Sequence, residues 1–153
     1  MFLQFVTEDL TNQPNSDYPS ASILLVEDNP ADALLVEEAL NEHQVKAELL
    51  VLGDGEKAIR FVEQFDAVSK PRPKLVILDL NLPKRSGKDV LRCIRAIAQW
   101  NHVPVVILSS SNAPDDREQT ALLGANQYIR KPSQLEEFLS IGAVFKKFLD
   151  ASC

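Results

Sequence analysis

Five side chains that could perform phosphate chemistry follow short apolar runs of the sequence, each near the point where a run ends. They are the carboxylates Glu27, Asp28 and Asp79, the hydroxyl of Ser109 and the ammonium of Lys131. Carboxylates that pack together repel one another and retain protons unless a cation compensates their charge. No Cys or His stands beside them in the sequence, so the expected cation is Mg²⁺, which binds carboxylate, carbonyl and water oxygens.

One carboxylate of such a group would face an incoming substrate, with Lys131 opposite it and Ser109 as a hydrogen-bond donor. A divalent ion and an ammonium can neutralise the equatorial oxygens of a phosphoryl group while an aspartate oxygen attacks the phosphorus in line. The residue types therefore predict a phosphoryl acceptor.

The elements that must position these side chains are five apolar runs that alternate with amphipathic segments. We predict strands over residues 23–26, 47–52, 75–78, 105–108 and 127–130. Helices are predicted over residues 30–42, 56–68, 86–98, 114–124 and 133–151. Right-handed strand–helix–strand crossovers make the sheet parallel, with helices on both faces, in a doubly wound α/β fold. Ligands of such folds bind beyond the carboxyl ends of the strands, where the five side chains converge.

Composition limits the function classes. The 153 residues suit one domain and carry a formal net charge of −6, which disfavours nucleic acid and anionic lipid as partners. Residues 1–21 contain three acids and no Lys or Arg. We therefore divide the chain into an irregular acidic N-terminal arm, residues 1–21, and one folded domain, residues 22–153.

The cysteines and the apolar runs indicate the compartment. Cys93 and Cys153 have neither metal-ligand spacing nor the pattern of a disulfide framework. No apolar run approaches the ~20 residues that span a bilayer, and the N-terminus lacks the basic start of a signal peptide. We expect a cytoplasmic protein with no membrane partner.

The ordered set of motifs resembles a known family. The motifs are Glu-Asp-Asn-Pro at 27–30, Asp-Leu-Asn-Leu-Pro at 79–83 followed by Gly87, Ser109, Tyr128, and Lys-Pro at 131–132. In this order and spacing they resemble the receiver domain of bacterial two-component response regulators, over about residues 22–151. The resemblance implies a flavodoxin-like fold of five parallel strands in the order 2-1-3-4-5.

The resemblance also implies roles for individual residues. A partner sensor histidine kinase would phosphorylate Asp79, and Lys131 would pair with the phosphoryl group. Mg²⁺ would be held by Asp28, Asp79 and the backbone carbonyl of Asn81, with Glu27 assisting through water.

Two further features belong to the same resemblance. Ser109 and Tyr128 match the hydroxyl and aromatic positions whose coupled movement signals phosphorylation, and Lys131-Pro132 matches a cis peptide bond. The protein would act as a phosphoacceptor rather than as an enzyme, while promoting its own phosphorylation and dephosphorylation. Within this family the chain most resembles the small receivers that serve bacterial phytochromes. The features that carry this narrower resemblance are the Asp-Leu-Asn-Leu-Pro-Lys sequence, the Pro71-Arg72-Pro73 segment and the lack of a following output domain.

Three alternatives share parts of this pattern. A degenerate receiver would act as a constitutive protein-interaction module without phosphorylation. A hydrolase of the haloacid-dehalogenase type also uses a strand-end Asp with Mg²⁺, but it has a second Asp where this chain has Asn81. A flavodoxin-like cofactor carrier needs a phosphate-binding loop after the first strand, and Glu27 and Asp28 would repel a phosphate there.

The last predicted helix has a wider apolar face than one sheet requires. The residues expected to pack on the sheet are Leu135, Leu139, Gly142 and Leu149. The apolar flank left over consists of Ile141, Val144 and Phe148. Such a flank needs cover, and we expect a two-fold homodimer through this helix and the fifth predicted strand. The competing cover is the apolar start of the arm, residues 2–6.

Overall fold

The computed structural model describes residues 3–6 and 22–151 of the chain. The strands are β1 (Leu3–Val6), β2 (Ser22–Val26), β3 (Ala47–Leu52), β4 (Leu75–Leu78), β5 (Val105–Ser109) and β6 (Gln127–Arg130). The helices are α1 (Pro30–Glu42), α2 (Gly55–Glu63), α3 (Gly87–Ala96), α4 (Pro114–Leu122), α5 (Leu135–Ser140) and α6 (Gly142–Ala151). Within the described ranges, no helix combines the length and apolar character needed to cross a membrane.

All six strands are parallel and lie in the order β1-β3-β2-β4-β5-β6. The five predicted strands are β2 to β6, and their predicted order, 2-1-3-4-5, is confirmed. Successive residues of each inner strand point to opposite faces, and both faces are buried. Leu24 and Val26 pack in the core beneath α2 and α3, whereas Ile23 and Leu25 pack in the core beneath α1, α5 and α6. This double burial explains why the strands are continuous apolar runs.

Strand β1 was not expected, because the sequence predicted an irregular arm over residues 1–21. Residues 3–6 pair with the outer edge of β3, from Leu3 opposite Ala47 to Val6 opposite Leu50. An open strand edge presents unpaired N–H and C=O groups, and a short apolar segment can satisfy them. The backbone of residues 3–6 is therefore paired with β3, at the opposite edge of the sheet from β6, and not with the last helix as the competing alternative to the dimer supposed. The rest of the predicted arm, residues 1–2 and 7–21, lies outside the described residues.

The last predicted helix is divided into α5 and α6 by a break at Ile141. At the break Gly142 packs against α1 so closely that a Cβ atom there would lie 2.1 Å from the Ala39 carbonyl oxygen. Nε2 of His43, just beyond α1, lies 3.2 Å from the Leu139 carbonyl oxygen on the other side of the break. The close approach of α1 therefore sets the position of the break.

The side chains of α5 and α6 that face the core differ from those predicted. Ile141 is buried together with Phe138 and Phe145, so its predicted place on an exposed flank is wrong. Leu135 is 56% exposed, so its predicted place against the sheet is also wrong. The buried residues Phe138, Ile141, Gly142 and Phe145 recur at intervals of three and four, so one buried stripe continues across the break and lies to one side of the predicted arc. Gly142 is buried as expected, and Val144 and Phe148 are half-buried.

Helix α3 is held close to the carboxyl end of β4 by another glycine. A Cβ atom at Gly87 would lie 2.1 Å from the backbone carbonyl oxygen of Asp79, and the Gly87 N–H donates to the Leu80 carbonyl at 3.0 Å. Ser86 caps the helix by accepting from the Asp89 N–H at 3.2 Å. The loop that carries Asp79 and Asn81 is therefore packed directly beneath the start of α3.

The contact between Gly142 and α1 generates a stability prediction. The Gly142→Ala variant should lose about 1–3 kcal/mol of unfolding free energy, because the added methyl group overlaps the α1 backbone. The loss should appear although alanine favours a helix over glycine by ~1 kcal/mol. Urea unfolding measures it. Gly53→Ala is the matched control, since a Cβ atom at Gly53 has nothing within 4 Å. Equal stability of Gly142→Ala and the wild type would contradict this account of the break.

Candidate functional site

The centre of the site is the ammonium group of Lys131, which follows β6. Its Nζ atom lies 2.7 Å from Glu27 Oε1, 2.8 Å from Asp32 Oδ2 and 3.1 Å from Asp79 Oδ2. The lysine side chain is only 11% exposed. One cation thus contacts carboxylates from the end of β2, the first turn of α1 and the end of β4.

The structure brings together the three carboxylates that the sequence predicted. Ligand oxygens of Glu27, Asp28 and Asp79 all lie within 4.8 Å of one another, with Asp28 exposed and the other two buried. Strand pairing sets their positions, since the Glu27 N–H donates to the Leu52 carbonyl and the Asp79 N–H to the Val26 carbonyl, both at 3.0 Å. The acids therefore lie on neighbouring inner strands at one edge of the sheet.

Backbone N–H groups orient the two buried carboxylates. Asp79 Oδ1 accepts a hydrogen bond from the Asn81 N–H at 3.2 Å, and Glu27 Oε2 accepts one from the Asn29 N–H at 3.1 Å. Each carboxylate then directs its other oxygen toward Lys131. Asn81 is thus placed beside Asp79, and its backbone takes part in the geometry of the site.

Burial and charge act in opposite directions on the ionisable groups. Burial, reinforced by the charge of Asp79, raises the pKa of Glu27 to about 7, against the opposing effect of its hydrogen bond with Lys131. Burial lowers the pKa of Lys131, but hydrogen bonds to Asp32 and Glu27 and the charges of Glu27 and Asp79 outweigh it and raise that pKa above its usual range. Lys131 therefore remains an ammonium and compensates the acids.

Asp32 is a functional contact that the sequence analysis missed. It stands in the first turn of α1, where Asn29 caps the helix by accepting from the Ala31 N–H at 2.9 Å. A carboxylate is common there because it favours the positive end of the helix dipole. The available signal was that α1 begins directly after Glu27 and Asp28, which directs its first turn toward the site.

The predicted switch residues are connected through a residue that was not predicted. Ser109 is fully buried, and its Oγ accepts a hydrogen bond from the Ser111 N–H at 3.2 Å. The hydroxyl of Tyr128, which is half-buried, donates to the Ser111 carbonyl oxygen at 3.0 Å. The Arg117 guanidinium lies 4.6 Å from the centre of the Tyr128 ring. Both predicted switch residues thus contact the backbone of Ser111.

The Ser111 side chain extends this network to two helices. Its hydroxyl donates to Asp116 of α4, and Lys88 of α3 contacts the same carboxylate at 2.7 Å. A movement of the loop after β5 would therefore change the contacts of Asp116 in α4 and, through it, of Lys88 in α3.

One predicted backbone feature is wrong. No cis peptide bond occurs in the described ranges, so the bond between Lys131 and Pro132 is trans. For a bond that precedes proline the two isomers differ by only ~0.5–1 kcal/mol, and the residue pair itself does not determine which one is present.

The donor set of the acidic group suits a hard divalent cation. The three clustered residues offer carboxylate oxygens, and the group includes no sulfur or imidazole nitrogen. Oxygen ligands of this kind match Mg²⁺, which accepts one or two carboxylates and keeps several waters. The exposed Asp28 leaves one side of the group open to a hydrated ion.

Comparison with known proteins identifies the family. Residues 23–141 match the response regulator receiver domain. The chain belongs to the response regulator receiver family. It is 39% identical to the response regulator Rcp1 of Synechocystis sp. over 124 residues, which are 80% of this chain and 84% of that protein. The residues that suggested a receiver from sequence alone therefore did so correctly.

Solved structures of receivers share the fold. The phosphorylated cyanobacterial phytochrome response regulator RcpA is 36% identical, with a TM-score of 0.77 over 87% of this chain and 96% of that one. The Mn²⁺-bound form of Rcp1 is 37% identical, with a TM-score of 0.75 over 84% of this chain and 94% of that one.

The raised pKa of Glu27 makes the stability of this receiver depend on pH. The folded state, with a pKa of about 7, binds the proton more tightly than the unfolded state, with the ordinary 4.5. The stability that Glu27 contributes is present at pH 4.5 and is lost as the pH rises through 7, by up to about 3 kcal/mol. The measurement is urea unfolding in the presence of a chelator that removes divalent ions. Between pH 4.5 and 7 the unfolding free energy of the wild type should fall relative to that of Glu27→Gln.

The exposed Glu38 of α1 provides the matched control, because Glu38→Gln makes the same chemical change away from the site. Glu38→Gln should follow the wild type across this pH range. A stability difference between Glu27→Gln and the wild type that stays constant with pH would contradict the prediction.

Proposed function

We propose that the protein is a single-domain response regulator in which Asp79 accepts a phosphoryl group from a sensor histidine kinase in a Mg²⁺-dependent reaction. The observation that carries this proposal is the carboxylate of Asp79, set at the end of β4 with its Oδ2 atom 3.1 Å from the Lys131 ammonium and beside Glu27 and Asp28. The similarity to RcpA, of whose structure the chain covers 96%, supports a receiver of the same kind.

In the proposed reaction an oxygen of Asp79 attacks the phosphorus of a phosphohistidine on the kinase. The new P–O bond forms as the P–N bond breaks, and the imidazole nitrogen keeps the electron pair and is reprotonated from solvent. Lys131 binds one oxygen of the transferred group and compensates its charge. Mg²⁺, held by Asp28, Asp79 and the Asn81 carbonyl with Glu27 assisting through water, supplies further charge compensation when bound.

Hydrolysis of the aspartyl phosphate returns the protein to its resting state. A water oxygen attacks the phosphorus, the P–O bond to Asp79 breaks, and orthophosphate leaves. The same side chains promote both steps, so the protein assists its own phosphorylation and dephosphorylation without being an enzyme in the usual sense.

The signal would leave the site through Ser109 and Tyr128. When Asp79 carries the phosphoryl group, the Ser109 hydroxyl turns to donate to a phosphoryl oxygen and releases the Ser111 N–H. Because the Tyr128 hydroxyl binds the Ser111 carbonyl, the tyrosine follows, and the surface formed by α4 and β6 changes. That surface would report phosphorylation to other proteins.

A phytochrome is the proposed kinase. Two similar receivers of known structure, RcpA and the bacteriophytochrome response regulator RtBRR, are 36% and 35% identical to this chain. Their names connect them to phytochromes, and we extend that partnership to this protein, acting in the cytoplasm. Leu34 in α1, which is 54% exposed, provides an apolar contact for the kinase.

Phosphoryl uptake is the experiment that tests this function. With acetyl phosphate and Mg²⁺, intact-protein mass spectrometry should detect a phosphoryl adduct on the wild type and none on Asp79→Asn, which keeps the shape of the side chain. Asp28→Asn should need more Mg²⁺ for the same extent of phosphorylation, because it removes a ligand. Circular dichroism of each variant controls for folding.

Two outcomes would change the proposal. Normal phosphorylation of Asp79→Asn would show that another residue is the acceptor. Absence of any adduct on the folded wild type at saturating donor and Mg²⁺ would leave a degenerate receiver, a constitutive interaction module, as the function.

We also propose a two-fold homodimer through α5, α6 and β6. Strand β6 forms the outer edge of the described sheet and presents backbone groups on its free side. Leu135 of α5 is 56% exposed, and Val144 and Phe148 of α6 are half-buried. A second copy that packs on this face would cover both the edge and the apolar side chains.

Sedimentation velocity tests the dimer. The wild type should sediment as a dimer at micromolar concentrations, and Leu135→Asp should shift it to monomer because the charge would be desolvated in the interface. Val68→Asp is the matched control, since Val68 is 96% exposed in the loop between α2 and β4. A wild type that stays monomeric at high micromolar concentration would exclude this assembly.

A further inference from the structure

The Lys131 ammonium uses all of its hydrogen-bond donors in the resting protein. A lysine ammonium has three N–H donors. Three carboxylates lie within 3.1 Å of its Nζ atom, those of Glu27, Asp32 and Asp79. A phosphoryl oxygen that approaches Lys131 can therefore gain a hydrogen bond only if one of these partners gives its bond up. Because Asp79 loses its negative charge when it is phosphorylated, the carboxylates that still compete for the lysine are Glu27 and Asp32.

The two carboxylates that remain charged differ in what it would cost them to release the lysine. The Glu27 side chain is 1% exposed, whereas that of Asp32 is 23% exposed. Releasing a buried carboxylate from its cation leaves its charge desolvated, while a carboxylate in contact with water is hydrated instead. Of the two, Asp32 therefore exchanges more readily.

The position of Asp32 in α1 also favours release. Its backbone N–H lies in the capped first turn, where the Asn29 Oδ1 accepts it at 3.4 Å. The positive end of the helix dipole stabilises a carboxylate at this place whether or not a lysine is bound. Asp32 thus keeps one source of stabilisation after Lys131 moves away.

We propose that Asp32 is a positioning residue that competes with the phosphoryl group for Lys131 and so shortens the time for which Asp79 stays phosphorylated. The inference rests on the proposed phosphorylation of Asp79. In the resting state Asp32 holds the lysine toward α1, and phosphorylation exchanges that hydrogen bond for one to a phosphoryl oxygen. The exchange breaks and forms hydrogen bonds only, and no covalent bond changes. Because the bond between Lys131 and Asp32 is lost, the exchange lowers the stability of the phosphorylated state relative to the resting state.

The test uses beryllium trifluoride, an anion that binds an aspartate carboxylate as a mimic of the phosphoryl group. With Mg²⁺ present, isothermal titration calorimetry should show that Asp32→Asn binds the mimic about tenfold more tightly than the wild type, because a competing charge near Lys131 is gone. The lifetime of the phosphoryl adduct formed from acetyl phosphate should lengthen in the same direction.

Glu38→Gln is the matched control for this measurement. Glu38 lies on the same helix six residues further on, about 9 Å along the axis, and is exposed. It should bind the mimic like the wild type. If Asp32 served only to stabilise the start of α1, Asp32→Asn would lower the urea midpoint and leave the affinity for the mimic unchanged, which would overturn the proposal.

A comparison made in the Lys131→Ala variant distinguishes competition for Lys131 from direct repulsion of the mimic by Asp32. In Lys131→Ala, adding Asp32→Asn should change nothing, whether both proteins bind the mimic equally or neither binds it. Tighter binding by the double variant would show direct repulsion and overturn the proposed role.

The inference and the proposed function can fail separately. A wild type that binds no mimic in Mg²⁺ would overturn both. A wild type that binds the mimic, with Asp32→Asn binding no more tightly than Glu38→Gln, would overturn the role of Asp32 alone.

Discussion

The interaction on which the site depends is the compensation of buried carboxylates by one ammonium. Glu27 and Asp79 are almost completely removed from water, and carboxylates in such a place are costly unless a cation is paired with them. Lys131 provides that charge from the end of β6, although the acids come from β2, β4 and α1. The charge of Lys131 therefore offsets the desolvation cost of the buried acids, and its contacts connect four elements around Asp79.

This arrangement requires a sheet that is buried on both faces. Only a parallel sheet covered by helices brings the carboxyl ends of successive strands to one edge, and its continuous apolar strands exclude water from beneath the acids. Close packing then sets the surrounding loops, since Gly87 places α3 against the backbone of Asp79 and Gly142 places the last helices against α1. The convergence of the acids at the carboxyl ends of the strands and the burial of both sheet faces thus follow from the same parallel topology.

Shared hydrogen-bond partners connect the site with the surrounding elements. Lys131 is shared among three carboxylates, and Ser111 is shared between Ser109 and Tyr128. A group that binds Lys131 can gain a hydrogen bond only by displacing an existing one. Ser111 is in turn bonded to Asp116 of α4, whose carboxylate also contacts Lys88 of α3.

The sequence by itself determined the five strands β2 to β6 and the convergence of Glu27, Asp28, Asp79 and Lys131, because apolar runs and the residues that end them are local patterns. The order of the strands followed from the resemblance to the receiver family. Tertiary structure alone decided the features that depend on what distant segments present to each other. The break at Ile141 comes from the approach of α1, β1 forms because β3 offers a free edge, and Asp32 joins the site because Lys131, 99 positions away in the chain, reaches it. An aspartate in the first turn of a helix looks the same in sequence whether it meets water or a lysine, and only the packing of the whole domain distinguishes the two.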